Sequence, residues 1–164
     1  MNNFKNTEQL KDKLKKYKIE DDKDKYIFRA NSKYIISSSI FFIIIAFIAV
    51  YSLYKGMIGI ERLTHIKIIL IAILLIYVVV ASYTLFSYKI IIQNDEIIAK
   101  KLRVKMTDIE KATVKIGRIS ATKVDRILEI ITKDKKRIQI RLNISNELLF
   151  FKLIENKIGE KLDI

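Results

Sequence analysis

The chain has 164 residues, 51% hydrophobic and 30% charged, with 31 Lys and Arg against 18 Asp and Glu. A mean hydropathy of +0.17 beside that much charge requires the two kinds of residue to be segregated along the chain. No cysteine and one histidine leave no material for a thiol nucleophile or a Cys/His zinc site.

Residues 1–33 read as a basic N-terminal tail, ten Lys and Arg against six Asp and Glu. Within "NTEQLKDKLKKYKIEDDKDKY", Leu10, Leu14 and Tyr17 recur at helical spacing, with Thr7 placed to cap. A narrow-striped helix lying on a membrane surface is one reading, and a solvated helix or disordered tail is the other. The acidic "EDDKD" argues against lipid contact along its whole length, and the short ordered piece "YIFRA" follows.

Residues 34–54, "YIISSSIFFIIIAFIAVYSLY", and 66–86, "IKIILIAILLIYVVVASYTLF", each carry at most one charge. At about 1.5 Å of rise per residue either stretch spans roughly 31 Å, the thickness of a hydrocarbon core, so both read as transmembrane helices. The first lies too far along the chain and runs too long for a signal peptide. Tyr34, Tyr51, Tyr54, Tyr83 and Tyr88 cluster near the ends, where interfacial aromatics belong. Ser37, Ser38 and Ser39 are expected to bond back to their own helix. The connection "KGMIGIERLTHI" is too short for a domain, and its Glu61 and His65 make neither a ligand set nor a catalytic pair, so it reads as a solvated turn. Lys and Arg number ten before the spans, three from Lys55 to Lys67, and eighteen from residue 89 onward. Both termini are therefore expected in the cytoplasm of a multi-pass cytoplasmic-membrane protein.

Residues 87–164 read as a β-rich cytoplasmic domain. "YKIIIQ" and "IIAKKLRVK" flank Asn94, Asp95 and Glu96, a turn cluster that tolerates positive φ, which predicts a hairpin of strands 88–93 and 97–105. "IEKATVKI" separates Ile109, Ala112, Val114 and Ile116 from Lys111, Thr113 and Lys115; residues 117–126 form a polar connection. "ILEIITKDKKRIQIRL" predicts two strands around Lys133 to Lys136, the second with Ile138, Ile140 and Leu142 on one side and Arg137, Gln139 and Arg141 on the other. In the closing stretch Asn143 or Ser145 can cap, Gly159 can terminate, and Leu148, Phe151, Ile154 and Ile158 line a helical face widened by Leu149, Phe150 and Leu153. An antiparallel, strongly bent sheet of at least five strands, covered by this helix, hides both apolar faces.

The succession "NDEIIAKK", "TDIEKATVK", "ILEIITKDKKRIQI" and "NELLFFKLIENKIG", with the Asp108-Ile109 step, resembles the bacterial pleckstrin-homology-like (PH-like) domains over residues 86–160. The chain lacks the Gly common after the second strand of that family and the Pro that often precedes the Asp-Ile step. The resemblance implies a domain set beside paired transmembrane helices and brings no catalytic residues. The expected fold class is thus membrane α + β: a two-helix transmembrane hairpin followed by a small antiparallel, bent, PH-like sheet capped by a C-terminal helix.

No Gly-rich phosphate loop and no intramembrane carboxylate is present, and no enzyme, cofactor or metal is expected. Asp108, Glu110, Asp125 and Glu129 are expected to solvate strand ends. Nucleic acid is disfavoured as a partner despite a pI near 9.8, because no helix-turn-helix or aromatic-basic stacking pattern accompanies the charge. The candidate binding residues are Lys101, Arg103, Lys105, Lys111, Lys115, Arg137 and Arg141, a cationic face for anionic lipid head groups or an acidic protein partner. The plain alternative is a solvated face that keeps the domain soluble. The function expected is a membrane-anchored interaction module; the competing one is an accessory subunit of a larger membrane complex, in transport or in envelope-stress or toxin protection, with homo-oligomers left open.

Overall fold

The computed structural model describes residues 2–19, 23–118 and 124–164. They fall into two compact units, Met1–Arg29 with Lys89–Ile164, and Ala30–Tyr88.

The second unit is a helical hairpin of α2 (Ser32–Met57) and α3 (His65–Ser87). Each starts one or two residues before the predicted apolar run, where a side chain accepts a bond from a first-turn amide: Asn31 from Lys33 at 2.9 Å, Thr64 from Lys67 at 3.3 Å. Both helices are long and apolar enough to cross a membrane. They pack on one another, yet most of their apolar surface stays uncovered, Phe47 at 68% exposure among it. The turn between them is held by Glu61, which accepts bonds from Lys67 and Lys55. The Lys67 ammonium first, then Lys55, holds the Glu61 carboxyl below its usual range. His65 simply opens α3.

In the first unit one sheet runs in the order β1 (Lys25–Arg29), β2 (Lys89–Gln93), β3 (Glu96–Ala99), β4 (Leu102–Lys105), all antiparallel. The turn at Asn94 and Asp95 has φ of 51° and 58°, the left-handed pair that a two-residue hairpin needs. The predicted strand 97–105 is corrected: it folds back at Lys100 and Lys101, with Lys100 at φ 55°. Lysine carries no turn signal, so alternation alone ran the two strands together.

A second correction concerns residues 1–33. They are not a tail separate from the C-terminal domain: β1 pairs with β2 along its whole length, from Lys25 opposite Gln93 to Arg29 opposite Lys89. Tyr26 and Phe28 point inward, and Phe28 meets Phe150 edge-on at 5.2 Å. The helical hairpin is therefore an insertion between two adjacent strands. Ahead of β1, α1 (Asn2–Lys16) packs on the C-terminal helix and buries Leu10 and Leu14. Their stripe faces protein, which corrects both the lipid-surface and the disordered readings. The Thr7 side chain and residues 20–22 lie outside the described residues.

The other sheet runs β7 (Arg137–Arg141), β6 (Val124–Thr132), β5 (Ile109–Arg118), β8 (Leu162–Asp163). Strand β8 lies parallel to β5; the other pairings are antiparallel. Eight strands in two sheets thus replace the expected single sheet of at least five. Strict alternation would place Ile109 on the face opposite Ala112, but the register slips between Ile109 and Lys111, and this one-residue bulge turns both inward. The polar connection at 117–126 becomes the ends of β5 and β6, with 119–123 outside the described residues.

A backbone bond from Ser145 N to Arg29 O at 2.9 Å ties the sheets together, while Met106 N to Asp95 O at 2.8 Å and Lys133 N to Asp108 O at 2.9 Å extend the β3–β4 and β5–β6 pairings. The C-terminal helix α4 (Glu147–Ile158) buries Phe150, Phe151, Ile154 and Ile158 and ends at Gly159, φ 58°. Its N-cap is Asn146 in the left-handed region, not Asn143 or Ser145.

Candidate functional site

The alternation that keeps isoleucine and leucine inward on each strand turns the predicted cations outward, but onto two different sheets. Lys101, Arg103 and Lys105 belong to β4 and the turn before it; Lys111 and Lys115 stand on β5, Arg137 and Arg141 on β7. They do not form one face.

On the second sheet the cations are largely neutralised from within. Glu129 stands on the middle strand, opposite Thr113 on one side and Gln139 on the other. It is 2% exposed and pairs with both Lys115 and Arg137. Arg141 Nε meets Asp125 at 2.9 Å. The expectation that Glu129 solvates a strand end is thus corrected: a buried carboxylate without cations would be costly, and the flanking Lys115 and Arg137 hold it mid-sheet. Glu110 pairs with Lys135 at 2.8 Å, so these acids are bound in ion pairs rather than set against one another as a carboxylate pair.

On the first sheet the cations are freer. Arg103 lies 3.8 Å from Glu96, too long for a hydrogen bond. Lys101 and Lys105 have no ion pair among the described residues, nor has Lys111 on the second sheet. Arg103 and Lys105 line an open cleft of about 510 Å³ against the β6–β7 turn, which adds Lys133 and Lys136; Glu96, Asp108 and Asp134 are its acids, Val104 and Ile138 its apolar part. Asp134 is already engaged: the Lys136 ammonium at 2.6 Å, then the Thr132 hydroxyl, hold its carboxyl down to about 2. The cleft therefore keeps a net positive rim suited to an anion, with Arg103 able to offer paired donors.

Sequence reading passed over Lys133 and Lys136, treated there only as turn residues. It also passed over Arg29 and Lys89, which the register sets side by side. The signal for that pair was available, since one cation precedes the first apolar run and the other follows the second. Among the described residues no three His, Cys, Asp or Glu converge to hold a metal.

Compared with family models, curated proteins and solved structures, the chain matches none. Its chemistry is read from its own geometry.

Proposed function

We propose that the protein is a non-enzymatic interaction module anchored in the cytoplasmic membrane, whose PH-like basic domain engages anionic lipid head groups or an acidic protein partner. One observation carries this reading: an apolar helical hairpin is inserted between two paired strands, so a basic, folded domain is joined to both ends of the hairpin through connections of one or two residues. Apolar side chains that stand uncovered along both helices are what a bilayer solvates and water does not. Two crossings return the chain to the side it left, which the pairing of β1 with β2 requires; the Lys and Arg totals select the cytoplasmic side. The Arg103, Lys105, Lys133 and Lys136 rim is the anion-binding element.

A specific observation favours the competing reading, an accessory subunit with a scaffold domain. Lys115, Arg137 and Arg141 of the second sheet are bound by Glu129 and Asp125 and have little charge to offer. The two readings part on amide hydrogen exchange of the full chain in bilayers with and without phosphatidylglycerol. Slower exchange over residues 100–105 and 133–137 with the anionic lipid, lost at high salt, is expected for the module. Equal exchange in both bilayers favours the scaffold. Release of the chain from vesicles by alkaline carbonate sinks both.

A further inference from the structure

We propose that Arg29 and Lys89 form a site for the phosphate of an anionic phospholipid, on the strand pair that carries the helical hairpin. The proposal rests on the reading of α2 and α3 as membrane spans. On β1 the outward residues are Lys25, Ile27 and Arg29. The register sets Arg29 directly opposite Lys89, both exposed. Side chains so placed have Cβ atoms about 5 Å apart, and like charges there oppose folding. Several cations elsewhere in this unit meet acids: Lys115 and Arg137 at Glu129, Arg126 at Glu147, Lys135 at Glu110, Lys157 at Asp95. Arg29 and Lys89 have no acidic partner among the described residues.

The position of the pair supplies the anion. Arg29 precedes the N-cap Asn31 by two residues, and Lys89 directly follows the C-cap Tyr88. At about 3.5 Å per extended residue both backbones lie within roughly 10 Å of a helix end. The head-group zone is about 5 to 8 Å deep on each side of the hydrocarbon core, so this length of chain leaves both cations within reach of the lipid phosphates. The site is also rigid. The Ser145 amide and hydroxyl both donate to the Arg29 carbonyl, at 2.9 and 3.3 Å. A forked guanidinium beside an ammonium matches a phosphodiester, and the next outward row, Ile27, Ile91 and Ile98, is apolar, with Ile27 50% exposed. Phosphate donors next to an apolar row suit a lipid rather than a soluble phosphate.

Native mass spectrometry of the full chain in zwitterionic detergent, titrated with phosphatidylglycerol and with phosphatidylcholine, tests the site. Selective retention of phosphatidylglycerol is expected, weakened about thirtyfold in R29Q/K89Q when two lipid-facing charges are lost. K25Q, at the opposite end of β1, is expected to retain the lipid as the native chain does. In lipid-free detergent K89Q is expected to melt higher than the native chain, since a like-charge contact is relieved. Phosphatidylglycerol should raise the native melting temperature and leave that of R29Q/K89Q unmoved; soluble glycerol phosphate should move neither. Undiminished lipid binding by R29Q/K89Q overturns the proposal, as does a lower lipid-free melting temperature of K89Q, which would make the pair structural. Equal stabilisation by glycerol phosphate overturns the lipid assignment. Loss of the membrane reading itself would show separately, as carbonate extraction of the native chain.

Discussion

Lys100 is a lysine at φ 55°, where a side chain costs about 1 kcal/mol that glycine does not incur. K100G is therefore expected to stabilise the first unit by about 0.5–1 kcal/mol in denaturant unfolding, despite losing the side chain's contacts. Asp134 offers a titration of known sign. Its folded-state pKa lies below the ordinary carboxylate value because Lys136 and Thr132 bond it, so its stabilisation is complete above about 4 and is lost as pH falls through about 2. The Lys136 pKa is raised by the same pair, so its contribution is complete below its ordinary value of 10.5 and is lost only above it. Carboxyl-carbon NMR should place the Asp134 midpoint near 2, with no stability change from this pair across neutral pH; D134N should abolish that low midpoint.

At the scale of elements, the second sheet is organised around one buried charge. Glu129 sits between two exposed cations, and E129Q would remove the charge that Lys115 and Arg137 share. Because both cations can return to water, the expected loss is about 1–2 kcal/mol rather than the full cost of breaking a buried pair. Equilibrium unfolding of E129Q beside K115Q measures it; E129Q should be the more harmful, since K115Q leaves Arg137 on the carboxylate. The alternation of β6 and β7 was legible in the sequence because each strand shows one apolar and one polar side. The bulge after Ile109 and the turn at Lys100 were not legible, since both depend on how a neighbouring strand sets the register.

For the whole molecule, the insertion of the hairpin between β1 and β2 decides what can fold. A fragment of residues 87–164 lacks the edge strand β1, the Phe28 ring against Phe150, and the Leu10 and Leu14 contacts of α1. Losing Phe28 alone is worth about 3–5 kcal/mol, close to the margin of a small domain. That fragment is expected to melt without cooperativity, whereas residues 1–29 joined to 89–164 by a two-residue Asn-Gly turn should melt in one transition, as circular dichroism would show. A cooperative melt of the shorter fragment would deny β1 its structural part.

Hydropathy and helix length are local properties, so the sequence alone determined the two apolar helices, the inward and outward sides of most strands, and the apolar face of α4. It also determined that cations would stand outward on β4, β5 and β7. Which cations remain available was a tertiary matter, because Glu129 and Asp125 reach Lys115, Arg137 and Arg141 only once strands are paired. The union of β1 with β2 across the whole hairpin, and with it the facing of Arg29 and Lys89, was likewise set by long-range pairing, which no window along the chain contains.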